Sequence, residues 1–304
     1  MTDSSSVVIR VPASTANLGP GFDCLGLALD IWNETSFTLS GDSISIEITG
    51  EGQNQLARNE SNLIYRSFYE TLEKHAHPVP SGIKISCKNE IPVSSGLGSS
   101  ATAVITGIYA ANSLFNLNLS KVDIFNLAVE YEGHGDNLAA SLEGGLVLVF
   151  PTESGLHFNR IEAPSMHIVI CIPEIQLSTH EARNSLPKTY DSSDVIFNIS
   201  HTALLVHAFR KRDYSLLKTA MQDRIHQPYR FMIIPGAEEA IHAAYDRGAS
   251  GVALSGAGPG LIAFCKKSDT SIAEAMKTAF QKEEIRSKTI ITETCLKSAH
   301  VLIN

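Results

Sequence analysis

A glycine- and serine-rich segment between a predicted strand and a predicted helix constrains this chain more than any other feature. Apolar residues alternate with polar ones over 82–88, and 101–114 reads as a helix, with Glu90-Ile-Pro-Val-Ser-Ser-Gly-Leu-Gly-Ser-Ser-Ala101 spanning the junction. Backbone N–H groups in such a turn, together with the positive end of the helix dipole, form an anion site. The segment therefore predicts a phosphate-binding loop, although the same pattern also suits a turn that binds nothing.

Two familiar phosphate loops fit this segment poorly. No Lys-Ser/Thr pair follows the last glycine, which excludes a Walker A loop. Gly96 to Ala101 matches G-x-G-x-x-G/A, but a dinucleotide site needs a second strand ending in an acid about 20 residues later. Ser120 to Glu130 instead shows a helix N-cap followed by apolar residues at helical spacing. A dinucleotide-dependent oxidoreductase therefore becomes a distant alternative.

Composition narrows the class of protein further. The 304 residues suit one large domain or two ordinary ones, and a net charge of −8 argues against nonspecific binding to nucleic acid. No apolar run approaches the roughly 20 residues that cross a bilayer, so we expect no membrane partner. The five cysteines are scattered singly and no secretory signal is visible, which predicts free thiols and a cytoplasmic location.

The order of the predicted elements favours an α+β chain. Val7 to Val11 predicts a strand, Pro12 to Asp23 a loop, and Thr35 to Thr49 a β-hairpin that turns at Gly41-Asp42. The apolar pattern of residues 166–294 predicts, in order, a strand, helices, two strands, a helix and a strand. That is the order of a ferredoxin-like two-layer sandwich with extra helices.

Three separate segments carry side chains suited to a small ligand. Asn17 and Asp23 could hold amine and hydroxyl donors, or could bond their own backbone in an Asx-type turn. Arg183 and Arg230 could fork onto one carboxylate, or could form separate surface salt bridges.

A fourth segment, 130–137, packs acids closely around one histidine. Glu130, Glu132 and Asp136 repel each other unless a cation or a hydrogen-bond donor joins them. Magnesium takes one or two carboxylates plus substrate phosphates, so one of these acids is a candidate ligand. A polar helix end at the surface is the alternative.

In this order, the segments resemble the GHMP kinase superfamily and, in detail, its homoserine-phosphorylating branch. The similarity covers nearly the whole chain. It implies an α+β fold with an N-terminal S5-like α/β domain, residues 1–160, and a C-terminal ferredoxin-like sandwich, residues 161–304. The matching motifs are P-A-S-T-A-N-L-G-P-G-F-D (12–23), P-x-x-x-G-L-G-S-S-A (92–101), E-G-H-x-D-N (132–137), T-x-x-A-R-x-x-L-P (179–187), H-Q-P-Y-R (226–230) and S-G-A-G-P (255–259).

The resemblance implies ATP as phosphoryl donor and Mg²⁺ as cofactor. The glycine-rich loop would wrap the ATP phosphates, and Asn62 would lie near the base. Ser100 and Glu132 would hold magnesium, with Glu130 as second choice. The implied nucleotide-binding residues are Asn62, Pro92, Val93, Ser94, Ser95, Gly96, Leu97, Gly98, Ser99, Ser100 and Ala101.

The resemblance also implies L-homoserine as the substrate. Asn17, Asp23 and Asp136 would hold its amine and hydroxyl side, and Arg183 and Arg230 its carboxylate. A homodimer is expected from the same resemblance. A GHMP kinase for another alcohol and a catalytically silent binding protein of this fold remain alternatives.

Three positions bear on how the chemistry would run. The implied catalytic residues are Ser100, Asp136 and Asn137; many relatives carry an Asp base where this chain has Asn137, so we predict no side-chain general base. Gly135 stands where proline is more common, which is expected to loosen the loop. Gly260 stands where threonine is more common, which removes a hydroxyl. We expect neither change to abolish activity.

Overall fold

The N-terminal part of the chain builds one sheet covered by helices. The computed structural model describes residues 6–153 and 155–302. The elements here are β1 (Ser6–Asn17), β2 (Gly21–Leu39), β3 (Ile44–Gly50), α1 (Leu63–Lys74), β4 (Ile83–Asn89), α2 (Ser99–Phe115), α3 (Lys121–Glu132), α4 (Asp136–Glu143), β5 (Leu146–Thr152) and β6 (Gly155–Ile161).

The C-terminal part builds a second sheet with its own helices. Its elements are β7 (His167–Pro173), α5 (Thr179–Asn184), α6 (Ser192–Lys211), a 3₁₀ turn (Tyr214–Leu216), α7 (Leu217–Ala220), α8 (Gln227–Phe231), α9 (Ala237–Asp246), β8 (Gly251–Leu254), β9 (Leu261–Cys265), α10 (Thr270–Lys282), β10 (Ser287–Glu293) and β11 (His300–Leu302).

The first sheet runs β11-β1-β2-β4-β3, with β5 on β2 and β6 on β5. Apolar residues alternate along β4, so Ile83 and Ile85 face the core while Lys84 faces outward. The helices α1 to α4 cover this apolar face, where Phe68 of α1 stacks on Phe37 of β2. The predicted strand and helix on either side of the glycine-rich loop are thus confirmed.

The predicted hairpin over Thr35 to Thr49 is wrong. The ends of β2 and β3 do not pair; β4 lies between them, antiparallel to β2 and parallel to β3. The turn at Gly41 has a positive φ, as a hairpin turn often does. Strand partners are set by burial of both faces, which the local pattern does not encode, and β4 has the stronger apolar alternation.

The predicted loop from Pro12 to Asp23 is mostly strand. β1 continues to Asn17 and β2 begins at Gly21, which leaves a corner at Leu18-Gly19-Pro20. Asn17, Leu18 and Gly19 all have positive φ, so the chain reverses sharply there. The Gly and Pro residues that suggested a long loop serve this short corner instead.

The second sheet has the order β10-β7-β9-β8 with all neighbours antiparallel. This is the predicted ferredoxin-like arrangement. Alternate residues face opposite sides: Val169 packs with α9 and α10, whereas Ile168 and Ile170 pack against α6, α7 and the first sheet. The two sheets therefore share an apolar layer that holds them in a fixed relation, with Leu25 and Leu27 contributing from β2.

The chain crosses back at its C-terminal end, because β11 pairs antiparallel with β1. The division into two domains between residues 160 and 161 stays a prediction.

Among residues 6–153 and 155–302, no helix combines the length and apolarity needed to span a membrane.

Gly26 should be intolerant of any side chain. A Cβ there would lie 2.2 Å from the Asp136 carbonyl oxygen, at the start of α4. We expect Gly26→Ala to lower the free energy of unfolding by at least about 2 kcal/mol in urea titrations. Gly41→Ala is the control: its Cβ meets nothing within 4 Å, so only left-handed strain of about 1 kcal/mol applies. Equal losses would contradict the packing argument.

Candidate active site

A cleft of about 400 Å³ lies where the glycine-rich loop meets the C-terminal part of the chain. Most of the predicted site residues line it, from both parts of the chain. The lining includes Asn17, Asp23, Asn62, Val93 to Ser100, Glu132, His134, Asp136, Asn137, Arg183, Arg230 and Gly256 to Gly258.

The glycine-rich loop is held by close backbone packing on two sides. A Cβ on Gly96 would lie 2.1 Å from the Ser255 carbonyl oxygen, and one on Gly98 would lie 2.3 Å from Ser14 Oγ. Both glycines also have positive φ, and Gly98 is the N-cap of α2 without a side-chain cap. Because no side chain blocks the N-terminus of this 17-residue helix, its N–H groups can receive an anion.

Some predicted nucleotide-binding residues lie outside the cleft lining or form hydrogen bonds within the protein. Pro92 and Ala101 are buried and lie outside the cleft lining, one at each end of the loop. Ser95 is buried and donates to the Pro92 carbonyl oxygen at 2.7 Å. Asn62 lines the cleft, but its amide caps α1 by accepting from Ile64 N at 2.9 Å and donates to the Ala57 carbonyl oxygen at 2.6 Å.

The structure brings Ser100 and Glu132 together. Ser100 Oγ donates to Glu132 Oε2 at 3.0 Å, although 32 residues separate them. Burial raises the pKa of Glu132, with Asp136 adding to the effect. Glu130 instead forms an ion pair with Lys74 on the exposed side of α3. A hydroxyl and a largely buried carboxylate facing one cleft suit a hard divalent cation, and this favours Glu132 over Glu130.

His134 links Glu132 to Asp136. Its Nδ1 lies 3.1 Å from Asp136 Oδ1, and its Nε2 lies 3.9 Å from Glu132 Oε2. Burial alone would lower the pKa of His134, but the hydrogen bond and the charges of the two acids outweigh it and raise the pKa. When His134 is protonated, its charge offsets the mutual repulsion of the two carboxylates.

Asn137 is tied to β1 rather than free in the cleft. Its Nδ2 donates to Ser14 Oγ at 3.1 Å, and Ser14 Oγ in turn donates to the Asn137 carbonyl oxygen. Its backbone N–H donates to Asp136 Oδ1 at 2.8 Å, which fixes that carboxylate at the start of α4. An amide cannot accept a proton as a base does, so Asn137 orients its neighbours.

Gly135 and Gly260, the two glycines that stand where another residue is more common, are tightly packed. A Cβ on Gly135 would lie 2.8 Å from Phe125 Cζ, so the segment is not loosened as expected. The φ of Gly135 is −110°, which the fixed ring of proline would not match. A Cβ on Gly260 would lie 2.3 Å from the Ser95 carbonyl oxygen, so in this chain the last glycine turn presses directly on the glycine-rich loop.

Arg183 and Asp23 form a two-pronged ion pair in the cleft. Arg183 Nη1 and Nη2 lie 3.0 and 2.8 Å from the two Asp23 carboxylate oxygens. The hydrogen bonds to Asp23 raise the pKa of Arg183. Asn17 braces the pair, since its Oδ1 accepts from Asp23 N at 3.0 Å while its Nδ2 donates to the Gly256 carbonyl oxygen at 2.7 Å. These contacts reach six residues along the chain and across to the Gly256 turn, so they differ from the local Asx-type turn considered for Asn17.

Arg230 is the buried counterpart of Arg183. It is 1% exposed and donates to the carbonyl oxygens of Ala182 and Gly256. Burial and the nearby Arg183 lower the pKa of Arg230 to about 10. Both guanidinium groups also face the Phe22 ring, at 5.7 and 5.4 Å. The alternative of separate surface salt bridges does not hold for Arg230, since none of its described hydrogen-bond partners is a carboxylate, and both arginines line one cleft.

Sequence reasoning missed several residues that shape the site. Phe22, Ser14 and Ser255 lay within the quoted motifs but carry no charge to signal a role. His226 lies in the H-Q-P-Y-R motif, and the sequence predicted no role for it, yet its side chain contacts Arg230. Their roles depend on contacts between residues far apart in the chain.

Comparison with known proteins places the chain among kinases of one superfamily. Residues 62–145 match the family model for the GHMP kinase N-terminal domain, and residues 205–282 match the model for the GHMP kinase C-terminal domain. The first match contains both the glycine-rich loop and the Glu132 to Asn137 segment.

Full-length relatives agree with these matches. A homoserine kinase of Halothermothrix orenii is 41% identical over 93% of this chain and 92% of its own length. The crystal structure of homoserine kinase from Cytophaga hutchinsonii superposes with a TM-score of 0.87 at 32% identity, covering 99% of each chain. A mevalonate kinase of L. major, at 17% identity and a TM-score of 0.71, shares the fold.

The ionisation of His134 should depend on Asp136. We expect the wild-type imidazole to titrate above its ordinary value near 6.5, and Asp136→Asn to lower that pKa, as read by histidine NMR across a pH series. A raised folded-state pKa contributes stability at pH values below 6.5 that is lost as the pH rises through the folded value. An unchanged pKa in Asp136→Asn would contradict the pairing.

Proposed function

Since the chain belongs to the homoserine kinase family of the GHMP kinase superfamily, we infer that it transfers the γ-phosphoryl group of ATP to the hydroxyl of L-homoserine. The product is O-phospho-L-homoserine, an intermediate on the route to threonine. The observation that carries the inference is a single cleft with an anion-binding loop and a carboxylate–hydroxyl pair at one end and two arginines with an acid at the other.

The glycine-rich loop supports ATP binding at its end of the cleft. Backbone N–H groups at the start of α2 would hold the phosphates, because the closely packed glycines leave them uncovered. Leu56, Asn62 and Leu63 line the same cleft and would shape the space for the base. Asn62 would do so by fixing the start of α1 rather than by donating to the base.

Ser100 and Glu132 fit a magnesium ion that also takes phosphate oxygens. Within the described part of the chain, no group of three or more His, Cys, Asp or Glu side chains could hold a metal alone. Magnesium suits such a sparse site, since it keeps waters and substrate phosphates as its other ligands. When bound, it would neutralise charge on the phosphates during transfer.

The opposite end fits a zwitterionic amino acid. Arg230 and Arg183 would receive the substrate carboxylate, while Asp23 would receive the ammonium group. Asp136, 2% exposed and held by His134 and Asn137, lies between this end and Glu132 and would orient the hydroxyl. Asn17 would support Asp23 and the Gly256 turn.

The reaction would depend on positioning more than on a base. The homoserine hydroxyl oxygen attacks the γ-phosphorus of ATP. The bond between the γ-phosphorus and the bridging oxygen breaks, and ADP leaves with that oxygen. The hydroxyl proton passes to a phosphate oxygen or to water. The loop N–H groups would neutralise charge on the transferred phosphoryl group, and a magnesium ion held by Ser100 and Glu132 would supply further positive charge there. Asn137 holds the start of α4 in place.

One experiment separates this function from its alternatives. The protein is mixed with Mg-ATP and, in turn, L-homoserine, L-serine, L-threonine, mevalonate or galactose, and followed by phosphorus NMR. We expect a new phosphomonoester with homoserine. Product with another alcohol alone would indicate a different GHMP kinase, and no product with any alcohol would favour a silent binding protein. NADH binding without ATP binding would revive the dinucleotide alternative.

Neutralising Glu132 should harm catalysis far more than neutralising Glu130. We expect Glu132→Gln to lower kcat/KM by at least about 10-fold and to raise the magnesium concentration needed for half-maximal rate. Glu130→Gln is the matched control, because it removes only an exposed pair with Lys74, and should stay within about 2-fold of wild type. The reverse ranking would move the metal to Glu130.

We also propose that the enzyme is cytoplasmic and homodimeric. The cytoplasmic location rests on the five free cysteines, all without a disulfide among the described residues. The homodimer rests on the family resemblance. Analytical ultracentrifugation tests the second: a single species at the mass of one chain would overturn it.

A further inference from the structure

His226 joins the corner at residues 18–20 to Arg230, at the end of the cleft proposed to hold the substrate carboxylate. Its side chain is fully buried. Nε2 lies 2.7 Å from the Gly19 carbonyl oxygen, and Nδ1 lies 3.1 Å from Arg230 Nη1. The ring also stacks on Phe22, with centroids 5.1 Å apart. One imidazole thus contacts the corner after β1, the Phe22 ring and the guanidinium of Arg230.

These two contacts fix the tautomer of His226. A guanidinium only donates hydrogen bonds, so Nδ1 must be the unprotonated acceptor from Arg230. The Gly19 carbonyl only accepts, so Nε2 must carry the proton. A neutral ring with its proton on Nε2 satisfies both partners, whereas an imidazolium would set an N–H against the guanidinium of Arg230.

The charged groups around His226 are compatible with a neutral ring. Asp223 Oδ2 lies 3.5 Å from Nε2, and this attraction, with that of Asp23, opposes the repulsion by Arg230. Asp223 is already engaged, because it accepts from the backbone N–H groups of His226 and Gln227. Burial is the largest influence and lowers the pKa of His226.

Arg230 depends on such neutral acceptors for its orientation. Its described hydrogen bonds go to Ala182 O, Gly256 O and His226 Nδ1, and no described carboxylate lies within ion-pair distance of it. Arg183, in contrast, is oriented by the Asp23 carboxylate. The buried guanidinium therefore keeps its full charge for a ligand, provided that uncharged acceptors hold it in place.

We propose that His226 is a positioning residue for substrate recognition: its unprotonated Nδ1 aims Arg230 at the substrate carboxylate. The proposal rests on the proposed function. It predicts that losing the Nδ1 acceptor weakens homoserine binding selectively, because the carboxylate end is disturbed while the nucleotide end is not.

Three variants separate the two nitrogens of His226. His226→Phe keeps a stacked ring but removes both contacts. His226→Asn places an amide oxygen near the Nδ1 position and retains an acceptor for Arg230. His226→Gln reaches toward the Nε2 position and retains a donor for Gly19. Each is compared with wild type for the KM of homoserine, the KM of ATP, kcat and the thermal midpoint.

We expect His226→Phe and His226→Gln to raise the homoserine KM by about 10- to 100-fold, the effect of losing a hydrogen bond to a charged group. The ATP KM should change little, and His226→Asn should recover most of the homoserine KM. A purely structural His226 would instead lower the thermal midpoint and kcat in all three variants with homoserine KM unchanged, and that outcome would overturn the proposal.

A spectroscopic measurement keeps the proposal independent of turnover. In long-range proton–nitrogen NMR of the ¹⁵N-histidine-labelled wild-type protein, the ring signals of His226, identified by their loss in His226→Phe, should be those of a neutral ring protonated at Nε2 at pH 7 and should change in Arg230→Lys. A ring protonated at Nδ1, or an imidazolium, would overturn the proposal even in an active enzyme. Absence of homoserine phosphorylation by the wild type would instead defeat the proposed function.

Discussion

The active cleft depends on close contact of the last glycine turn with the glycine-rich loop and with the end of β1. Ser255 Oγ donates to the Gly96 carbonyl oxygen at 2.8 Å, and Gly256 N donates to the Ala16 carbonyl oxygen at 3.1 Å. Side chains at Gly96 or Gly260 would push these segments apart. The contact joins the end of β1, the loop before α2 and the turn between β8 and β9, and each carries part of the site.

Charge is distributed along the cleft in a way that suits phosphoryl transfer to an amino acid. Glu132 and Asp136 lie near the start of α2, with His134 between them to offset their repulsion. Arg230 lies at the other end, buried among neutral acceptors. A phosphate with its cation and a substrate carboxylate would each meet a preformed complementary group, so little reorganisation is needed on binding.

Local pattern was sufficient for the parts of the fold that local chemistry decides. The strand, glycine-rich loop and helix around residue 96 were predicted, as was the capped start of α3, where Ser120 and Asp123 form a capping box. The predicted hairpin was wrong because β4, and not β3, pairs with β2, and this pairing depends on burial in the whole sheet. The predicted loop over residues 12–23 was wrong because its glycines and proline form only a short corner at residues 18–20. His226 was unassigned because its partners, Gly19 and Phe22, are distant in sequence.

A crystal structure with Mg²⁺, a non-hydrolysable ATP analogue and L-homoserine tests the central claim most directly. The account predicts terminal phosphates against the loop at Gly96 to Ser100, a cation on Glu132, the homoserine carboxylate on Arg230 and its hydroxyl facing the γ-phosphorus. Homoserine bound outside this cleft, or with its hydroxyl turned away from the terminal phosphate, would contradict it.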